Sequence, residues 1–156
     1  MGQPLTVLRV EKLKSWGDVG GAGSHNLRHR DTPNADPSRT HLNRHLVGQP
    51  TDQLAEVVRE KIGDQTIRKN AVLAFEVVMS ASPEYFRPDD PGAAGTWNEQ
   101  RLARWEAASM DWLRKQYGDR IASAVLHLDE QTPHIQAVVV PLDERGKLNC
   151  RAMLGG

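Results

Sequence analysis

The 156 residues are enough to bury one core and too few for two well-developed ones, so one domain over residues 1–156 is expected. Lysine plus arginine equals aspartate plus glutamate at 20 each, which excludes a global pull on nucleic acid and leaves any such affinity to local patches. The single cysteine, Cys150, excludes an internal disulfide and a cysteine-rich zinc site and fits a reducing cytosol. No apolar run approaches the ~20 residues that span a bilayer, and Met1 to Lys14 carries no signal-like apolar block, so an intracellular protein with no membrane contact is expected.

In chain order, Leu5 to Lys14 alternates apolar and polar residues and has the β-branched content of a strand. Gly17 to Ser24 holds four glycines among eight residues and reads as a loop that delivers His25. From Asn26 to Pro50 the chain is polar, interrupted by prolines and locally basic, with Arg28, Arg30, Arg39 and Arg44 against only Asp31 and Asp36. Thr51 to Gly63 reads as a short helix, capped by Thr51 or Asp52 and ended by Gly63, with Leu54, Val57, Val58 and Ile62 at helical spacing.

Ala71 to Ser80 is nearly all apolar, with one glutamate, and predicts a central strand. Asp89 to Gly95 is a loop rich in proline and glycine. Thr96 to Gly118 predicts the longest helix, with Thr96 as its cap and Trp105 and Trp112 on the core side. Ile121 to Leu128 and His134 to Pro141 form a hairpin across Asp129 to Pro133, and Asp143 to Gly146 turns the chain again. Leu154-Gly155-Gly156 completes no element, so a longer parent protein is expected. These elements predict an α+β sandwich: an antiparallel sheet with helices on one side, and a fifth strand available in the basic arm.

The stretch from His127 to Gln136 is the most informative. Side chains two apart on a strand share a face, so His134 and Gln136 project together and His127 meets them across the hairpin. Imidazoles suit manganese, zinc and other transition ions, whereas the oxygen of Gln136 is a harder donor that tilts the set toward manganese or magnesium. Asp129 and Glu130 lie in the turn, where they orient a ligand, accept a proton or approach the ion. The competing reading is two histidines satisfied by hydrogen bonds at a strand end, beside exposed acids.

These residues resemble the MobV (Mob/Pre, plasmid mobilisation and recombination) relaxases of the HUH endonuclease superfamily. His25-Asn26-Leu27-Arg28 matches the family's first motif. Pro37-Ser38-Arg39-Thr40-His41-Leu42-Asn43 is similar to the second, and His127 to Gln136 matches the third, usually H-x-D-E-x-x-P-H-x-H. Ile67-Arg68-Lys69-Asn70-Ala71-Val72 is similar to another recurring stretch. One departure stands out: Gln136 occupies the place of the last histidine. Either its amide oxygen replaces an imidazole, or the ion keeps two protein ligands plus water.

The resemblance implies a five-stranded HUH sheet with a divalent ion, Mn2+ or Mg2+, held by His127, His134 and Gln136. It also implies nicking and rejoining of one DNA strand at a plasmid origin of transfer, in a bacterial cytoplasm. His25 would attack the phosphate and keep it as a phosphoramidate, with Glu130, then Asp129, as the partner that fixes its tautomer. Tyr85 and Tyr117 are the competing nucleophiles, as in a replication initiator or transposase of the same superfamily. Asn26, Arg28, Arg39, Asn43, Arg68 and Lys69 are the candidate contacts to DNA, both the single-stranded nick region and the adjacent duplex, and the conjugation machinery is a further possible partner. A small-phosphoester hydrolase and a non-catalytic DNA-binding module are the rival functions from other classes.

Overall fold

A computed structural model describes residues 7–28 and 32–155. Leu5 of the first expected strand, His29, Arg30 and Asp31 of the basic arm, and Gly156 lie outside the described residues. Five strands, β1 (Val7–Leu13), β2 (Arg44–Val47), β3 (Ala74–Ser80), β4 (Ile121–His127) and β5 (His134–Val139), form one antiparallel sheet in the order β1-β3-β5-β4-β2. The fifth strand does come from the basic arm: β2 pairs with β4 at one edge. The adjacent Pro37–Leu42 segment is a 3-10 helix capped by Asp36.

Alternation along the central strands sends side chains to two different environments. Phe75, Val77, Met79, Leu126, Ile135 and Ala137 face α4 (Glu99–Tyr117) and pack with its Leu102, Trp105, Met110 and Leu113. Ala74, Ala122 and Val138 face the other way, beneath α1 (Trp16–Asn26) and α2 (Leu54–Ile62). Helices therefore cover both sides of the sheet, not one as expected, because α1 was hidden in the glycine-rich stretch.

That stretch is the main correction. Four glycines, each about 1 kcal/mol worse than alanine in a helix, argue for a loop, yet residues 16–26 are helical. Two features offset the poor propensity. Ser15 caps the helix by accepting from the Asp18 amide at 3.0 Å, worth about 1 kcal/mol. Gly23 lets α1 approach α2 so closely that a Cβ there would sit 3.0 Å from Leu54 Cβ. His25 is thus held on the last turn of a packed helix and not on a flexible loop.

Smaller departures concern caps and exposure. Helix α2 begins at Leu54 with no side-chain cap, and Thr51 instead accepts from the Gln53 amide. Helix α4 is capped by Asn98, not Thr96. Trp105 is core, but Trp112 is exposed and meets Tyr117 edge-on. A short helix, α3 (Pro83–Phe86), was not foreseen and seats Phe86 against Trp105. A last short helix, α5 (Cys150–Leu154), was likewise unforeseen where no completed element was expected.

Candidate functional site

The hairpin register sets the site. His127 and His134 are direct partners across β4 and β5, with ring centroids 5.1 Å apart. Both lie on the sheet face away from α4, and Gln136 follows His134 on that face by the two-residue period. Helix α1 ends directly above, bringing the His25 ring to 6.3 Å from that of His127. The three histidines that sequence placed in one centre are therefore consecutive neighbours.

The chain direction at His25 is fixed by an unusual residue. After the C-cap at Leu27, Arg28 adopts a left-handed φ of +61°, a conformation rare for a non-glycine residue. It is held there by its side chain, which donates to both oxygens of Asp129, at 2.9 and 2.7 Å, and to Glu130 Oε2 at 2.9 Å. Arg28 Nη1 also lies 3.3 Å from His25 Nε2. Arginine can only donate, so Nε2 of His25 is the bare nitrogen of the ring.

The electrostatics follow from burial. Asp129 is fully buried. Burial alone would raise its carboxyl pKa, but hydrogen bonds from Arg28 and Thr40, with the Arg28 charge, hold it well below the carboxylate range. Glu130 is drawn down to about 2, first by its hydrogen bond with His134 at 3.1 Å and, against burial, by the charges of His134 and Arg28. His127 goes down to about 3, chiefly through burial and then through the positive field of His134 and Arg28. Its imidazole is accordingly neutral at ordinary pH, the form that binds metals.

The donor set fits a cation. His127 Nε2 contacts Asn26 Oδ1 at 3.1 Å; an amide oxygen only accepts, so Nε2 carries the proton and Nδ1 the lone pair. That Nδ1 is buried without a hydrogen-bond partner, as is Gln136 Oε1. Two orphaned acceptors in one buried patch are costly unless something positive meets them. His134 Nδ1 lies 3.2 Å from the Thr132 carbonyl, so in the neutral ring the bare Nε2 faces the Glu130 carboxylate. A proton or a cation on Nε2 relieves that opposition. Among the described residues no three His, Cys, Asp or Glu side chains are grouped to hold a metal; the third candidate donor here is the Gln136 amide, which lies outside those residue types.

The expected DNA contacts fare differently. Asn26 is buried against His127, and Arg28 is spent on the two carboxylates. Arg39 donates to the carbonyls of Gly95 and Leu128, with Asp36 on its Nε, and Asn43 accepts from the Leu128 amide. These four side chains brace the hairpin and its turn, because the buried Asp129, the partly buried Glu130 and a row of backbone carbonyls demand donors. Arg68 and Lys69 are exposed, and Arg68 lines a basic cleft of about 730 Å3 with Lys12, Arg145, Lys147 and Arg151. Neither Arg68 nor Lys69 lines the His25 cleft.

Glu130, expected as the partner of His25, is shared between Arg28 and His134. The competing tyrosines sit elsewhere: Tyr117 packs on Phe75 at 5.3 Å, and Tyr85 donates to the Arg101 carbonyl. Both belong to the apolar cluster under α4, across the sheet from the histidines. Sequence reading missed Arg87, a buried guanidinium that donates to the Pro91, Thr96 and Gln131 carbonyls and clamps the hairpin turn. It also passed over Glu76, the one acid in an apolar strand, which lines an open cleft of about 460 Å3 with Glu11, Asp18, His25 and Gln136. The oddity of a charge in that strand was the available signal.

Comparison with known proteins agrees with this fold. The family model for plasmid recombination enzymes (Mob_Pre) matches residues 3–156. A plasmid recombination enzyme of Streptococcus agalactiae is 36% identical over 157 residues, covering 94% of this chain and 30% of the relative. A 65 kDa protein of Zymomonas mobilis is 35% identical, covering 96% of this chain and 25% of the relative. The chain thus spans about a quarter to a third of the length of these curated relatives. Among solved structures, the Mn-bound MobM relaxase domain (MOBV; Mob_Pre) with plasmid pMV158 oriT DNA superposes with a TM-score of 0.80 at 30% identity, over 96% of this chain and 76% of that one. The chain belongs to the Mob_Pre family of plasmid recombination enzymes, and its five-stranded antiparallel sheet with flanking helices is the relaxase-domain fold.

Proposed function

We propose that residues 1–156 form one relaxase catalytic domain that nicks and rejoins a single DNA strand at a plasmid origin of transfer, in the bacterial cytoplasm. The observation that carries this reading is the row His25, His127, His134 on one sheet face, with buried, unpartnered acceptors on His127 and Gln136. The relative of known structure binds manganese and origin DNA, which supports the same partners here. No helix among the described residues is long and apolar enough to cross a membrane.

In this reading His127, His134 and Gln136 hold a divalent cation, Mn2+ or Mg2+, which when bound polarises a phosphate and stabilises charge developing on its oxygens. His25 supplies the nucleophile. The bare Nε2 attacks phosphorus, the P–O3′ bond breaks with its electron pair on O3′, and a phosphoramidate joins the 5′ phosphate to the ring. The ring sheds its Nδ1 proton and O3′ takes one up, so no net proton is consumed. Arg28, already beside Nε2, places a guanidinium next to the arriving phosphate while its other nitrogens stay on Asp129 and Glu130. Attack by a free 3′ hydroxyl reverses each bond change and reseals the strand.

Asn26 positions His127, Glu130 and Asp129 hold the Arg28 fork, and Arg39 and Asn43 fix the turn. Arg68 and Lys69 remain free to meet duplex phosphates beyond the nick. The test is strand cleavage of supercoiled plasmid carrying the cognate origin. Cleavage should require manganese, vanish in H127A and survive in Y85F and Y117F; cleavage without metal, or lost with either tyrosine, refutes the reading. A hydrolase of small phosphoesters would instead turn over without a protein–DNA adduct.

A further inference from the structure

Gln136 differs from an imidazole in one decisive respect: it has two unlike ends. An amide presents an acceptor oxygen and a donor NH2, and only the oxygen binds a cation. Something must decide which end faces the site. In the register of β3 and β5, Glu76 pairs with Val138 while Gln136 pairs with Val78, so Glu76 and Gln136 are diagonal neighbours on the histidine face. Glu76 and Gln136 line the same cleft. Burial and the neighbouring Glu11 raise the pKa of Glu76, while His134 and Gln136 favour its ionised form. An ionised carboxylate accepts and cannot donate, so what it can take from the Gln136 amide is the NH2 end. The other end, Oε1, is then buried on a residue only 8% exposed and has no hydrogen-bond partner.

We infer that Glu76 is a positioning residue for the cation: by accepting from the Gln136 amide it turns Oε1 toward the ion held by His127 and His134, and so fits an amide into a place that otherwise calls for imidazole. This inference rests on the metal-dependent reading above. It accounts for the lone acid in an otherwise apolar strand. It also predicts that a metal site with one oxygen donor, fixed in this way, favours manganese over the softer ions that prefer a third nitrogen.

The test is manganese titration by calorimetry of the parent, E76M, E76Q and Q136H, with metal-free melting temperatures to confirm folding. Glutamine at 76 keeps an acceptor of the same reach, whereas methionine keeps the volume and loses it. E76M is expected to bind manganese about 10–100-fold more weakly, as outer-shell changes commonly do, and E76Q to stay within about threefold of the parent. In a Q136H background the E76M penalty should largely disappear, since an imidazole needs no amide turned. E76A serves the same comparison should methionine prevent folding. Parent-like binding by E76M, a loss in E76Q as large as in E76M, or an equal penalty with Q136H would overturn the role of Glu76. If the parent and H127A bind manganese equally poorly, the metal reading itself fails and this inference falls with it.

Discussion

The two faces of the same five-stranded sheet do different work. Toward α4 the central strands send Phe75, Val77, Leu126, Ile135 and Val139, all essentially buried and all apolar. Toward α1 the same strands send Glu76, Ser80, His127, His134 and Gln136, interleaved with small apolar residues at the far end. Because neighbours on a strand point opposite ways, each chemical residue sits between two that anchor it. The polar face can thus carry a strained arginine, two depressed carboxylates and orphaned acceptors, while the other face supplies the burial that keeps them in register.

That contrast can be broken one face at a time. The largest effect should be on activity alone: H25A is expected to lower nicking by on the order of 10^4-fold, with the urea midpoint unchanged because His25 is only partly buried. Next, R28M leaves the buried Asp129 carboxylate without its bidentate partner, and urea denaturation should show a loss of about 3–5 kcal/mol; adding D129N should recover much of it. On the opposite face, L126A removes a fully buried side chain and should cost about 2–5 kcal/mol by the same measurement, while leaving manganese affinity of the folded protein intact. If L126A abolished metal binding at temperatures where it is folded, the two faces would not be separable.

Acid should act through His127 and Glu130 on the histidine face, and the sign of their contribution is determined. His127 is held down to about 3 against an ordinary value of 6.5, and Glu130 to about 2 against 4.5. In both cases the unfolded chain binds the proton first, so stability is present above the ordinary values and lost as pH falls. The loss begins near 6.5 through His127 and deepens below 4.5 through Glu130. Metal-free denaturation at pH 7 and pH 5 should differ by on the order of 2 kcal/mol, and H127Q should flatten that interval. A stability that stays level between pH 7 and pH 5 would contradict the burial of a neutral His127.

Much of this was legible in the sequence, and the reasons are local. The hairpin from Ile121 to Pro141 and the central strand at Ala74 announce themselves by apolar runs and by turn residues between them, and a period of two places His134 and Gln136 together. The helix at Trp16 to Asn26 was not legible, because one of its glycines, Gly23, serves the approach to Leu54, a contact 31 residues away that no local propensity reports. The basic arm was legible only in part, for a related reason. Arginines 28 and 39 look like phosphate contacts in isolation, and only the fold reveals that Arg28 also grips the buried Asp129 and that Arg39 also donates to the Gly95 and Leu128 carbonyls.

The most direct measurement is mass spectrometry of the covalent complex formed when the protein cleaves cognate origin DNA in the presence of manganese. The account predicts an acid-labile nucleotide adduct on the peptide containing His25, with no modification of Tyr85 or Tyr117. A nucleotide attached to either tyrosine, with His25 unmodified, would contradict it.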